Sequence, residues 1–307
     1  MINSKHKDRL FIFIFGREEH KDWTLSLYNA INHTNYQNPD DITFNTMSET
    51  LYMGMKNDVS LLIHSEMNLY EHQSSYNPNM PVRELIYAGS LYDKYIYETD
   101  ANIYGTGIIE LPVPRLYVFY NGLTNSDDEV TLQLSDAFPP GIDHNTSDIS
   151  VKVHMININY GRNRALLESC KPLMEYSELI NNIRIYQKTM PIKEAVNKSL
   201  KDMPSDSILK PYLMANKAEV TNMCITEYDE AETMRRFRRD GYNEGHAEGH
   251  AEGLTEGRNE GQLTLAKVMS QLSSGVSADE LIASGVPSDT ISLAEQCIEE
   301  FKKNYQA

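Results

Sequence analysis

Residues 56–74 read Lys56-Asn57-Asp58-Val59-Ser60-Leu61-Leu62-Ile63-His64, then Ser65-Glu66, then Met67-Asn68-Leu69-Tyr70-Glu71-His72-Gln73-Ser74. Two short runs rich in large apolar residues are separated there by a polar pair. This pattern is typical of two antiparallel strands joined by a tight turn. We therefore predict a β-hairpin whose turn is centred on Ser65-Glu66.

The strand period of two decides which polar side chains of this hairpin meet. With the turn at Ser65-Glu66, Asp58 lies opposite Gln73, and Glu71 is its diagonal neighbour on the same face. A shift of one residue would place Asp58 on the opposite face from the other two. Two converging carboxylates form an oxygen-ligand site for Mg²⁺, which completes its coordination shell with water and phosphate. Asp58 and Glu71 are therefore candidate metal ligands, and Gln73 lies on the same face.

The same residues also fit a simpler interpretation. An aspartate at the start of a strand and a glutamate in a half-exposed strand are usually solvated surface residues, and paired acids mark function only statistically. The neighbouring sequence therefore has to distinguish a metal site from ordinary surface residues.

That neighbouring sequence resembles a known family. The stretches Gly54-Met55-Lys56-Asn57-Asp58, Tyr70-Glu71-His72-Gln73-Ser74 and Asn77-Pro78-Asn79-Met80-Pro81-Val82-Arg83 are similar to the Rpn family of recombination-promoting nucleases and transposases. This family belongs to the PD-(D/E)XK nuclease superfamily. The resemblance continues through residues 114–122 and the Glu-Gly repeats near the C-terminus, so it covers most of the chain. The combination of E-x-Q-S with N-P-x-M-P-x-R is more specific than a D…E-x-Q pattern alone.

The resemblance implies a restriction-endonuclease-like α/β fold, a mixed sheet flanked by helices, with a C-terminal helical extension. It also implies a Mg²⁺-dependent endodeoxyribonuclease, a hydrolase of phosphodiester bonds associated with DNA recombination and mobile elements. By this resemblance, Asp58, Glu71 and Gln73 would be the catalytic residues, and Asp58 and Glu71 would hold the metal. Gln73 stands where the superfamily usually has a lysine, and a neutral amide orients water better than it stabilises a transition state. Arg83 could supply the missing positive charge.

Two features depart from what the family name suggests. Ile12 occupies a position in the run Leu10-Phe11-Ile12-Phe13-Ile14-Phe15 where the family often has lysine. Strand transfer by a transposase needs recognition of DNA ends, and no segment for it can be located in the sequence. The alternative is a catalytically weak or inactive protein with a nuclease fold, which oligomerises and serves protein partners.

The remaining elements follow from periodicity and punctuation. Helices are expected at residues 8–32, from Pro81 onward and across 163–227; strands are expected at 42–44, 116–120 and 151–158, with a further edge strand at 130–134. We divide the chain into a nuclease-like core (1–162), a helical region (163–240), a Glu-Gly repeat helix (241–262) and a small helical tail (263–307).

Composition limits the partners and the compartment. The net charge is −16, and the tail from Gly241 holds 11 acidic and 4 basic residues. Because affinity for DNA comes largely from Lys and Arg contacts with phosphates, we expect weak or assisted DNA binding. The main basic cluster is Arg235-Arg236-Phe237-Arg238-Arg239. It could clamp phosphates, but it is at least as typical of a solvated helix face or an interface anchor. Three widely spaced cysteines favour a reducing cytoplasm, and no apolar run is long enough to span a membrane.

The Glu-Gly repeat places glycine at every fourth position six times, from Gly241 to Gly261. Each interior glycine costs a helix about 1 kcal/mol relative to alanine, so this helix needs close contact with another helix. We therefore expect a homo-oligomer. A flexible linker remains an alternative. Metal binding by His246 and His250 is also open, although no third ligand accompanies them. The tail after Gly275 is expected to form a helical cap or docking element.

Overall fold

A computed structural model describes residues 10–46, 58–124 and 127–305. The chain divides into two compact units, Met1–Met234 and Arg235–Ala307. The helices are α1 (Leu10–Phe15), α2 (Lys21–Asn32), α3 (Met80–Glu98), α4 (Arg164–Ser169), α5 (Lys171–Gln187), α6 (Ile192–Asp202), α7 (Lys210–Ala215), α8 (Lys217–Ser273), α9 (Ala278–Ala283) and α10 (Ser288–Tyr305).

The first unit contains a six-stranded mixed sheet with the order β1-β2-β3-β4-β6-β5. Its strands are β1 (Ile42–Phe44), β2 (Val59–Ile63), β3 (Glu66–Gln73), β4 (Val113–Tyr120), β5 (Glu129–Gln133) and β6 (Lys152–Asn157). β3, β4 and β6 are parallel, whereas the other pairs are antiparallel. The expectation of an α/β fold with a mixed sheet flanked by helices is thus confirmed, and β5 forms the edge strand expected near residues 130–134.

The β2–β3 hairpin has a different turn from the predicted one. Val59 pairs with Tyr70 and Ile63 with Glu66, so the turn residues are His64 and Ser65. His64 adopts a positive φ of 49° at this turn. The predicted turn at Ser65-Glu66 was wrong by one residue, which shifts the pairing by two. Because a shift of two preserves the face of every side chain, Asp58, Glu71 and Gln73 still share one face.

The two faces of the sheet carry different cores. The core face, which includes Val59, Leu61, Tyr70 and Phe119, packs against α1, α2 and the helices between α4 and the start of α8 in one large apolar cluster. The α3 face is covered by helix α3. Two smaller clusters lie beneath that helix, and they include Leu69, Val118, Met155 and Leu91.

Helix α3 begins where the sequence predicts it. Pro81 lies in its first turn, where the absent amide hydrogen costs nothing. The buried side chains follow helical spacing, and they are Met80, Pro81, Glu84, Tyr87, Ala88 and Leu91. Glu84 is thus a charged residue within the stripe that packs on the sheet.

The Glu-Gly repeat is helical, as part of α8. A methyl group added at any of the six repeat glycines, Gly241 to Gly261, would meet no atom within 4 Å. The second unit has its own small apolar cluster of Val268, Leu281, Ile291 and Ala294. Among the described residues, no helix is long and apolar enough to cross a membrane.

Candidate functional site

Asp58 and Glu71 each accept a hydrogen bond from a backbone amide of the opposite strand of the β2–β3 hairpin. The Asp58 amide donates to Oε1 of Glu71 at 2.8 Å, and the His72 amide donates to Oδ2 of Asp58 at 2.8 Å. The two acids are therefore direct cross-strand neighbours, closer in register than the predicted diagonal pair. Bonds from backbone amides stabilise ionised carboxylates and fix their direction.

Arg83 joins this pair from helix α3. Its Nη2 lies 3.0 Å from Oε2 of Glu71 and donates to the Tyr87 hydroxyl at 2.9 Å. Glu71 is only 1% exposed and Arg83 is 27% exposed, so the ion pair is largely shielded from water. Desolvation lowers the pKa of Arg83, but Glu71, Tyr87 and Asp58 raise it by more, so the guanidinium keeps its charge. The structure thus brings Arg83, which the sequence offered as a source of positive charge, into contact with the acid pair.

Gln73 is also drawn toward Arg83. With its oxygen facing helix α3, the Gln73 carboxamide accepts from Nη1 of Arg83 at 3.1 Å and donates to the Ser75 carbonyl at 3.2 Å. The reverse orientation places the amide nitrogen 2.6 Å from Sδ of Met80, which is a weak acceptor. We assign the first orientation because it satisfies both ends of the amide. Gln73 and Glu71 then hold the two ends of one guanidinium.

The residue between them belongs to the other side of the sheet. His72 is buried on the core face, where its Nε2 lies 2.9 Å from the Tyr176 hydroxyl and its ring stacks on Phe11. The alternation Glu71-His72-Gln73 thus sends the two outer side chains to the α3 face and the central one into the apolar core. The acid-x-amide spacing has a structural reason.

Two polar residues of the α3 face, Glu84 and Tyr87, were not predicted from the sequence. Glu84 is fully buried, and burial, followed by the charge of Glu71, raises its pKa well above the ordinary value. Burial and Glu71 likewise raise the pKa of Tyr87 to about 12, so its hydroxyl stays protonated. The signal for Glu84 was its spacing of four from Met80 and of seven to Leu91, which places an acid in an apolar helical stripe.

The chemistry of the donor set suits a hard divalent cation. Asp58 and Glu71 are carboxylates on neighbouring strands and on the same face of the sheet. Mg²⁺ is usually held by one or two carboxylates, with waters and phosphates as its other ligands. Across residues 10–46, 58–124 and 127–305, no group of three or more His, Cys, Asp or Glu side chains is placed to hold a metal ion. The two-acid arrangement therefore meets the minimum for Mg²⁺ without forming a closed metal cage.

Other candidate residues lie elsewhere or cannot be described. His246 and His250 are exposed on α8, with no third ligand beside them in the described part of the chain. In the basic cluster, Arg236 and Arg239 are exposed, and Arg239 pairs with Asp240 at 3.5 Å. The side chains of residues 235, 237 and 238, and the whole of 47–57 with Lys56-Asn57, lie outside the described residues.

The chain matches no family model, no curated protein and no solved structure.

Proposed function

We propose that this chain is a divalent-cation-dependent endodeoxyribonuclease that hydrolyses phosphodiester bonds, as its resemblance to the Rpn family implies. The observation that carries the proposal is the acid pair on the α3 face: Asp58 and Glu71 each accept a 2.8 Å bond from the opposing strand's backbone. Glu71 is 1% exposed, and burying a carboxylate costs folding free energy. Acid groups buried in this way cluster at functional sites, which supports a function for this pair.

Each residue has a role in this proposal. Asp58 and Glu71 would hold the cation through their carboxylate oxygens. A bound Mg²⁺ would supply an activated water molecule and neutralise charge on the phosphodiester. Arg83 would bind a phosphate oxygen of the DNA, since a guanidinium forms directed bonds to phosphate. Gln73 would orient water, because its amide can both donate and accept.

The test is cleavage of supercoiled plasmid by the purified full-length chain, with Mg²⁺ or with EDTA. Asp58→Ala and Glu71→Ala should each lower the rate about 100-fold or more, equivalent to about 3 kcal/mol of barrier. EDTA should abolish cleavage by the wild type. Absence of cleavage by folded wild type in Mg²⁺ and in Mn²⁺ at low salt would overturn the proposal.

Glu66→Ala is the matched control. Glu66 lies on the same strand as Glu71 and also pairs with an arginine, Arg115, at 2.8 Å. Its removal breaks a more exposed arginine ion pair on the same strand without touching the acid pair, so this variant should cleave at the wild-type rate. Equal losses in Glu66→Ala and Glu71→Ala would indicate general destabilisation in place of catalysis.

A second candidate function, an oligomeric interaction protein, is favoured by the exposed glycine stripe of α8. A stripe of six glycines in one helix costs several kcal/mol relative to alanine. A second copy of the chain, packed closely along the stripe, would offset that cost because glycine lets two helix backbones approach. The acidic surface and this helix would then serve protein partners whether or not DNA is cleaved.

The double variant Gly249→Ala/Gly253→Ala tests whether the glycine stripe packs closely against a second helix. Alanine stabilises an isolated helix but adds methyl groups to a close helix pair, so the oligomer should dissociate although the helix gains propensity. Size-exclusion chromatography with light scattering would measure the mass. Asn243→Ala/Asn259→Ala, which lies off the stripe, should leave the mass unchanged. A monomeric wild type would refute the oligomer.

A further inference from the structure

Glu84 is a buried acid that the mechanism above does not use. It lies on α3 one residue after Arg83, within the stripe that faces the sheet, and it is 0% exposed. The residues of that stripe pack on the α3 face, the face that carries Asp58 and Glu71. The helix therefore presents a third carboxyl group to the side of the sheet that bears the acid pair.

Both carboxyl oxygens of Glu84 are without a hydrogen-bond partner in the described part of the chain. Nearly all buried polar side chains in folded proteins are hydrogen-bonded, and the exceptions often mark a catalytic role or an ion. Other polar atoms on this face, such as Oγ of Ser60, are also unbonded, but they do not belong to an acidic group. A buried carboxylate is the most costly of such groups to leave unpaired.

The electrostatic surroundings of Glu84 connect it to the acid pair. Besides burial, the charges of Glu71 and Asp58 raise its pKa, and Arg83 opposes them. The charges of two acids and of one arginine thus act on the buried Glu84. A divalent cation would bring the added positive charge that this group of side chains lacks.

We propose that Glu84 is the third acid of the cation site, joining Asp58 and Glu71 around the bound ion. This inference rests on the proposed function. No three of the described acids converge closely enough to hold an ion before it enters, so Glu84 reaches the ion by rotating its flexible side chain. Asp58 and Glu71 are held by backbone amides, whereas Glu84 has no bond to break when it moves.

The experiment is calorimetric titration of the metal-free full-length chain with Mn²⁺, then with Mg²⁺. Glu84→Gln, which keeps the shape but removes the charge, should weaken binding about 10- to 100-fold, the range for supporting groups at metal sites. Asp58→Ala should abolish binding. Asp93→Asn, an exposed acid on the same helix, should bind as the wild type does.

Plasmid cleavage by the same variants separates this inference from the proposed function. Wild-type binding and cleavage that persist unchanged in Glu84→Gln would overturn the inference and leave the nuclease intact. A wild type that binds no cation would overturn both. Thermal unfolding of metal-free Glu84→Gln must occur at or above the wild-type temperature, so that weaker binding cannot be attributed to misfolding.

Discussion

The two faces of the sheet differ although the same strands form them. On the core face, alternate residues such as Leu61, Tyr70 and Phe119 are apolar and pack in one continuous cluster. On the α3 face, Leu62 and Leu69 are apolar near the hairpin turn, but Asp58 and Glu71 follow at the other end. One face therefore stabilises the first unit, and the other gives up apolar packing at one end to hold buried charges.

This difference shows how a single hairpin can combine an apolar core face with a face that holds buried polar and charged groups. Apolar burial stabilises in proportion to area and needs no direction. Buried charges stabilise little unless every partner is in place, and their removal leaves neighbours unpaired. The three predictions below test whether the faces differ in this way.

The largest effect is expected on the core face. Phe119→Ala should cost about 3–5 kcal/mol, because it leaves a cavity between Phe11 and Tyr70, whose rings lie 4.9 and 5.3 Å away. Urea unfolding followed by fluorescence of the single tryptophan, Trp23, reports on this cluster. Phe119→Leu, which keeps a large apolar side chain and leaves a smaller cavity, should cost less, about 1–2 kcal/mol. Equal costs for the two variants would contradict a closely packed core face.

An intermediate effect is expected from the ion pair of the α3 face. Arg83→Met should cost about 1.5–3 kcal/mol, since it removes charged hydrogen bonds from a buried Glu71. Arg115→Met is the matched control on Glu66. Its side chain is 48% exposed, so its loss should cost under about 1 kcal/mol. Urea unfolding of both variants measures the difference, and the comparison fails if the losses are equal.

The smallest effect has the opposite sign. Glu84→Met should stabilise the metal-free protein by about 1–3 kcal/mol at neutral pH, because it replaces an unpartnered buried acid with an apolar side chain. The native pKa of Glu84 is raised above its ordinary value of 4.5, so the native state binds more protons than the unfolded state. The contribution of the Glu84 carboxyl to the wild-type free energy of unfolding therefore falls as pH rises above about 4.5.

The gain from Glu84→Met should thus be small near pH 4 and grow toward pH 7. Thermal unfolding in EDTA across this range would measure it. Glu98→Met, at an exposed position on the same helix, should show no such pH-dependent gain. A gain that does not change with pH would mean that Glu84 is not held with a raised pKa.

The hairpin illustrates how much of the site could be predicted from sequence. Strand alternation placed Asp58, Glu71 and Gln73 on one face, and the structure agrees. The turn was misplaced because His64 takes a left-handed backbone conformation that the sequence pattern does not signal. The shared face was still predicted correctly, because moving a two-residue turn by one position shifts the strand pairing by two residues, an even number.

Helix α3 illustrates the opposite case. The sequence placed its start at Pro81 but did not show which side of the helix is buried: Ile86 is 39% exposed, whereas Glu84 is buried. When a helix has apolar residues on several of its own sides, the sequence does not show which side it buries. That choice depends on the crossing of the helix over the sheet, which is a tertiary property.

By itself, the sequence determined the α/β class, the hairpin, the shared face of the acid pair and the helical repeat, because the local periodicity of apolar and polar residues encodes each of them. The tertiary structure decided which charges meet. Arg83 reaches Glu71, and Glu84 is buried on the same face, because α3 packs on that face with Met80, Glu84 and Leu91 inward. Contacts between distant segments depend on how elements pack, and local sequence patterns do not specify that packing.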